Sequence, residues 1–501
     1  MSWTELRSGA AAILLWALLL SLAGLTFLKQ ASLCSFPYQV EPTEAGMLQS
    51  AKVLAQGGDP WAPATAPENY NAYGLGFPWL AAQWHRLQPA LPWLLLLRMC
   101  AALGALLALL AACVALSAVS AGALETAAFA VLLYPVLLFP DSFAARPDAL
   151  GVGLYLAALV WAQRPSVGDA AIAALLGVLA FFTKSYMGLA LPVSLLLLWA
   201  QGRRRHACIF AWTALAAAAA MTAMICWRHP HYFEGTLLVN AAAPEKSSWH
   251  WAWRQLRDLG RLHWPLLLAA LLSALWALRR GSLAPRGPAR LWAWATLPAL
   301  LALAAGLGGH EGAYLRYYDQ LLLPPLLLAL FFWLKQQGWG PRALSGLLLL
   351  NAFFCTFALL GWNRPSTPAR LAEWARADAW VQAHPFGMYP AVMASLSIEH
   401  GGFVTDTGHT YVLKNSRWRG QPSTLAKASL RRDRWLTRQL EQGRLQSVVC
   451  GQTWECPPGL EKMGYRQVDQ FCMDPPICFK VYVPRKAPPK PEAYVYAEDD
   501  L

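Results

Sequence analysis

The residues best suited to chemistry lie in a polar stretch that follows the first apolar segment: VEPTEAGMLQSAKVLAQGGDPWAPATAPENYNAYGLGFPW, residues 40–79. It carries Glu41, Glu44, Asp59 and Tyr73, in a chain whose other long segments are mostly apolar. Further ionisable residues interrupt that background: Asp141, Arg146 and Asp148 in FPDSFAARPD, Lys184 in FFTKSY, Glu234, and His310, Glu311, Arg316 and Asp319 in GGHEGAYLRYYDQ. Charges at membrane depth are costly and are normally paired or functional. A carboxylate there can serve as general base or orient an acceptor. Arg can hold a phosphate with a planar fork, and Lys can do so as a point charge. A membrane site with both kinds of charge suits a lipid-phosphate substrate whose sugar head is attacked by an acceptor.

Each of these residues also has a structural reading. Glu41 can be a solvated loop charge. Glu44 can stabilise the N-terminus of a helix over Ala45–Gln56, with Thr43 as N-cap. Arg146 and Asp148 can anchor topology on either side of Pro147, and Lys184 and Arg316 can snorkel from span ends. Convergence on one side of the membrane is what favours chemistry. Other catalytic patterns are missing: the sequence has no Walker-type glycine loop, no GxSxG and no HExxH. RHPH at 228–231 is a weak metal motif, and DTG at 406–408 lacks the apolar strands an aspartic protease would need. No metal ligand set or cofactor motif is read, so no cofactor is expected and a divalent metal is not indicated.

Apolar helices must position these residues. The chain is 56% hydrophobic and only 14% charged, with mean hydropathy +0.33; a soluble domain is about a quarter charged. Apolar runs of about 17–25 residues read as membrane spans. The expectation is an all-α polytopic membrane protein of about eleven spans, near residues 9–28, 91–116, 126–139, 150–163, 169–182, 189–200, 208–227, 265–278, 291–307, 321–334 and 343–361. The net charge of +13 comes largely from short clusters between spans, among them Arg203–Arg205, Arg279-Arg280 and Lys335. Such clusters mark cytoplasmic loops, so no nucleic-acid partner is needed to explain them. The count puts the N-terminus in the cytoplasm and loop 30–91 outside. GLGFPWLAAQWHRL is too short to span and is predicted to lie in the interface. A second interfacial helix is expected around RQLRDLGR within 228–263.

Composition changes at Asn363. Residues 1–362 read as the transmembrane domain, with the candidate site in loop 30–91. Residues 363–485 read as a soluble mixed α/β domain, and 486–501 as a disordered Pro-rich tail. Strands are expected at SVVCG and FKVYVP, and a helix at LRRDRWLTRQLEQ. Four of the ten cysteines cluster here: Cys450, Cys456, Cys472 and Cys478. They suggest two disulfides, of unassigned pairing, in an oxidising compartment. An odd span count places this domain on that side too.

The order EAGMLQSAKVLAQGGDPW, YGLGFPWLAA, YPVLLFPDSFAARPDALGVGLYLAAL and LLGVLAFFTKSYMGLALP, with HEGAYLRYYDQLLLPPLLLAL later, resembles bacterial GT-C membrane glycosyltransferases. The nearest groups are the protein O-mannosyltransferase-like and lipid A aminoarabinose transferase-like enzymes, and the resemblance covers roughly residues 10–335. It implies an inner-membrane enzyme that moves a hexosyl or pentosyl group from a polyprenyl-phosphate sugar to an envelope glycan, lipid or protein on the periplasmic face. Where that family often has an Asp-Glu pair, this chain has Thr43-Glu44. The resemblance therefore implies Glu44 as base, with Glu41 a partial substitute. It makes Arg146, Lys184 and Arg316 phosphate-holding cations, sets Tyr73 and His310 at the donor, and lets Asp148 fix the geometry beside Arg146. A single displacement would invert the anomeric carbon without a metal. Two other readings stand beside it. A transporter or flippase of a lipid-linked saccharide should show internal repeats, and none is visible. A non-catalytic assembly factor would use residues 363–485 as its binding module.

Overall fold

The computed structural model describes residues 3–41, 43–64, 71, 73–138, 144–238, 248–280, 284–304, 318–361, 367–402, 424–451, 456–457, 459–474 and 477–489. Long apolar helices dominate it. The first is α1 (Trp3–Ser35), followed by the short helices α2 (Thr43–Ala55) and α3 (Gly76–Leu87). Next come α4 (Trp93–Ser117), α5 (Ala123–Leu138), α6 (Asp148–Gln163), α7 (Val167–Thr183), a 3-10 turn (Ser185–Leu189), α8 (Ala190–Ala200) and α9 (Arg204–Arg228). After a π turn (Glu234–Leu238) the bundle continues through α10 (Ser248–Arg279), α11 (Gly287–Ala304), a second π turn (Tyr318–Leu322), α12 (Leu323–Gln336) and α13 (Pro341–Gly361).

Among the described residues, most of each of the eleven apolar segments lies on one of these helices. Among the described residues, five helices are long and apolar enough to cross a membrane: residues 9–35, 93–117, 204–228, 252–279 and 341–360. Trp199, Trp212 and Trp227 are 70–80% exposed, an apolar surface that suits a lipid environment. The chain is a multi-pass membrane protein.

At the centre stands α6, in which every residue from Asp148 to Val160 is buried. A helix apolar on all sides belongs inside a bundle. Small residues let α4 approach it closely. A Cβ on Gly104 would lie 2.3 Å from the Leu150 Cα, and one on Gly153 would lie 2.4 Å from the Gly104 carbonyl oxygen. Small residues at a crossing permit this backbone contact.

Two expectations need correction. Thr43 is not an N-cap: it is the first residue of α2, and its hydroxyl donates to Glu41. The interfacial helix around RQLRDLGR is not separate either. It runs into the next apolar segment as one helix, α10, kinked at His263 (φ −112°, ψ 17°), two residues before Pro265. Proline lacks the N–H that would continue the ladder there. At the kink the His263 side chain is held by Asn351 on α13, whose amide lies 2.8 Å from its Nδ1.

From residue 367 onward the chain forms α14 (Pro368–Ala383), α15 (Ala394–Glu399), α16 (Thr424–Glu441) and an antiparallel sheet of β1 (Val448–Gly451), β2 (Tyr465–Asp474) and β3 (Ile477–Pro484) in the order β1-β3-β2. The expected strands and helix overlap β1, β3 and α16, the first strand and the helix each running one residue beyond them. Strand β2 was not expected, because YRQVDQFCMD reads as polar. It is a one-sided strand that buries Tyr465, Phe471 and Met473, and register shifts interrupt its alternation. Disulfides join Cys450 to Cys456 and Cys472 to Cys478.

Candidate functional site

The ends of α1, α6 and α7, the start of α2 and the second π turn meet at one end of the bundle. Asp148 opens α6, where the helix dipole favours a carboxylate, and it is fully buried. Lys184 follows the last residue of α7, where the dipole favours a cation. The Lys184 ammonium donates to Asp148 Oδ1, and Arg146 Nε donates to Asp148 Oδ2 at 3.1 Å. Both cations are 4% exposed. Arg146 also donates to Glu41 Oε1 at 3.0 Å and to the Tyr73 hydroxyl at 2.7 Å. The Tyr73 ring lies beneath both cations, 5.7 Å from the Arg146 guanidinium and 4.9 Å from the Lys184 ammonium.

Two glycines explain why Tyr73 reaches this place. A Cβ on Gly74 would lie 2.1 Å from the Phe182 carbonyl oxygen, and one on Gly76 would lie 2.6 Å from the Thr183 hydroxyl. YGLG therefore presses its backbone onto the end of α7, directly before Lys184, and the phenol follows.

Glu44 stands behind the cations. It is fully buried and joined to Arg98, also fully buried. Its Oε1 accepts from Arg98 Nε (2.9 Å) and from the Ala145 N–H (2.8 Å). Its Oε2 accepts from Arg98 Nη2 (2.9 Å) and from the Val40 N–H (2.6 Å). Arg98 donates in addition to the carbonyls of Leu33, Phe36 and Tyr38. The five N–H donors of a guanidinium thus meet five acceptors, which makes burial of this pair tolerable. The clasp fixes Val40 and Ala145, the direct neighbours of Glu41 and Arg146. Glu41 is the most exposed carboxylate of the group, with 17% of its side chain accessible. The other oxygen of Glu41 accepts from the Thr43 N–H at 3.0 Å.

The structure thus brings together Glu41, Glu44, Tyr73, Arg146, Asp148 and Lys184. His310 and Arg316, with Asp141 and Glu311, lie outside the described residues, as does the Asp319 side chain. Asp59 and Glu234 are elsewhere: Asp59 lies 2.9 Å from His229 Nδ1, and Glu234 pairs with His231 at 2.9 Å and accepts from the Leu425 N–H. The two histidines of RHPH therefore each face a carboxylate of their own. Among the described residues no three His, Cys, Asp or Glu side chains converge as metal ligands.

Sequence reasoning missed three members. Arg98 interrupts the apolar run LLLLRMC, and a lone charge in a span is itself a signal. Gln320 is buried in the second π turn and donates to Asp148 Oδ1 at 2.6 Å. Tyr186 donates to Gln320, and its ring lies 4.8 Å from the Lys184 ammonium. Neither Gln320 nor Tyr186 had a signal in its residue type; the π turn, a feature frequent at functional sites, is visible only in the structure.

No protein-family model matches the chain, and no curated protein matches it. Solved structures do. The chain is similar to ArnT from Cupriavidus metallidurans in the apo state, with 16% identity, a TM-score of 0.58, and coverage of 95% of this chain and 98% of that one. It also matches ArnT from the same organism bound to undecaprenyl phosphate, with 17% identity, a TM-score of 0.47, and coverage of 86% and 80%. The protein has the fold of ArnT over nearly its whole length.

Proposed function

We propose that this protein is a membrane glycosyltransferase that moves a sugar from a polyprenyl-phosphate donor to an envelope acceptor on the periplasmic face of the bacterial inner membrane. The observation that carries this reading is the buried pair Arg146 and Lys184, held by one shared carboxylate, Asp148, over the ring of Tyr73. Two preorganised cations at the end of a lipid-facing bundle suit a phosphate attached to a lipid. ArnT, whose fold this chain shares, has been crystallised with undecaprenyl phosphate.

In the proposed reaction the acceptor oxygen forms a bond to the anomeric carbon while the bond from that carbon to the phosphate oxygen breaks. The electron pair leaves with the lipid phosphate, whose charge Arg146 and Lys184 offset. The acceptor proton passes to a carboxylate. Glu41 suits that role, because it is the carboxylate with access to solvent, whereas both oxygens of Glu44 are occupied twice over. Glu44 then acts by positioning Glu41 and Arg146. Single displacement inverts the anomeric centre. Arg146 and Lys184 supply the positive charge, so a chelator should leave turnover unchanged.

The test is release of free polyprenyl phosphate from labelled polyprenyl-phosphate sugars by the purified protein, with an envelope extract as acceptor source. Wild type should release it, and Glu41→Gln and Lys184→Met should not. Absence of release with every donor offered would remove the glycosyltransferase reading and favour a transporter or a scaffold.

A further inference from the structure

The segment that carries Glu41 has a second face. Residues 36–41 are held against the C-terminal part of the chain: Gln39 donates to the Ala391 carbonyl at 2.7 Å and accepts from the Ser395 N–H at 3.0 Å. Tyr38 stacks on Trp374 of α14, with ring centroids 5.4 Å apart and planes 12° from parallel. Around this aromatic pair stand Lys52 from α2, Asp378 from α14, Glu399 from α15 and His400 directly after it. His400 Nε2 lies 2.6 Å from Asp378, and the Lys52 ammonium donates to the Ile398 carbonyl at 3.2 Å.

Several polar groups here are left unmatched. Among the described residues the Glu399 carboxylate and the Tyr38 hydroxyl make no hydrogen bond or ion pair, and Lys52 uses one of its three donors. They are nevertheless close enough to feel one another. Burial pushes the Tyr38 phenol up from its usual range, and the charges of Asp378 and Glu399 push it the same way. Burial pulls the Lys52 ammonium down, and the charge of Glu399 opposes this. All five side chains remain at least partly exposed.

We propose that this junction is the acceptor subsite, and that it takes a neutral, polyhydroxylated saccharide rather than a phosphorylated one. The assignment rests on the glycosyltransferase reading above. A carboxylate that lacks a donor, Glu399, an ammonium and a phenol with hydrogen bonds to spare, and a stacked aromatic pair converge in one place. That set matches the alternating donors and acceptors of sugar hydroxyls and the apolar face of a sugar ring. The carboxylates of Asp378 and Glu399 beside Tyr38 oppose a second phosphate. Tyr38 and Glu41 are three residues apart, so their side chains are separated by at most roughly 10 Å of backbone. To offer a hydroxyl to Glu41, a saccharide seated on Tyr38 must cross the width of this segment, a span of about one or two sugar rings.

The experiment uses the full-length protein in detergent or nanodiscs and the variants Glu399→Gln and Tyr38→Phe, neither of which alters the cation cluster. A panel of neutral oligosaccharides and their phosphorylated counterparts is supplied as acceptors with a labelled polyprenyl-phosphate sugar. The same saccharides are titrated calorimetrically without donor. The expected result is transfer to neutral members only, with the acceptor KM raised about tenfold in each variant, the size of one lost hydrogen bond to a charged group. The donor KM should not move. Preference for phosphorylated acceptors, or an unchanged acceptor KM in both variants, overturns the proposal while leaving the glycosyltransferase reading intact. Saccharide binding that Glu399→Gln weakens, in a protein that releases no polyprenyl phosphate, overturns the glycosyltransferase reading and leaves a saccharide-binding junction.

Discussion

Two glutamates three residues apart do different physical work. Glu41 touches solvent, Thr43 and the Arg146 guanidinium, while Glu44 is wholly internal and neutralises Arg98. Their substitutions should therefore separate. Glu41→Gln is expected to lower turnover by about 10²-fold or more without moving the thermal midpoint. Glu44→Gln or Arg98→Met leaves one buried charge unmatched and is expected to cost about 3–5 kcal/mol of stability, read as a large drop in thermal midpoint in detergent. If Glu44→Gln stays fully stable and only turnover falls, Glu44 rather than Glu41 takes the proton. Residue types were a good guide to this cluster where charge stood out against an apolar background, as with Arg146, Asp148 and Lys184. They could not rank Glu41 against Glu44, because the difference lies in Arg98 and in two backbone N–H groups, from Val40 and Ala145, that the fold brings in. Gln320 was illegible for a similar reason: glutamine carries no charge to attract notice, and its role comes from the π turn that aims it at Asp148.

At the scale of elements, the site is aligned by close backbone contact. The α4–α6 crossing sets Arg98 against the start of α6, and it leaves no room for a methyl group at Gly104. Gly104→Ala is expected to destabilise by about 1–3 kcal/mol and to lower activity by more than the lost stability explains, since the helices must separate. Gly74→Ala should leave the bundle folded and selectively reduce donor binding, because the segment pushed off α7 carries Tyr73. A donor KM equal to wild type in Gly74→Ala would show that Tyr73 does not meet the donor. Apolar runs made the helices readable one by one. The continuity of α10 was not readable, since a proline can end a helix or kink it, and the residue that holds the His263 side chain at the kink, Asn351, is 88 residues distant in sequence.

For the whole molecule, the membrane bundle and the disulfide-bearing C-terminal part meet at the segment that carries Glu41. Each disulfide closes a short loop of sequence separation 6, worth roughly 2 kcal/mol in the chain-entropy picture. Reduction with a membrane-permeant thiol should loosen residues 448–484 first, measured as faster proteolysis there while the bundle remains intact. If the C-terminal part faces the periplasm, thiol trapping in intact cells should find these four cysteines oxidised, and free thiols there would reverse the proposed orientation. The general architecture was readable from composition alone, but the contact between the two parts was not. It depends on Gln39 and Tyr38, a polar and an aromatic residue in a stretch with no periodicity.

The clasp around Arg98 also has a consequence for biogenesis. All its participants, from Leu33 to Ala145, belong to the first third of the chain. An arginine entering a bilayer alone costs about 3 kcal/mol at the translocon, yet Glu44 and the carbonyls of residues 33–38 precede Arg98 in synthesis and await it. The frame of the candidate site can thus close on the ribosome before Lys184 and Gln320 have been made. Stalled nascent chains that expose residues 1–163 should already resist protease across the loop near Glu44, and the same chains carrying Glu44→Gln should not.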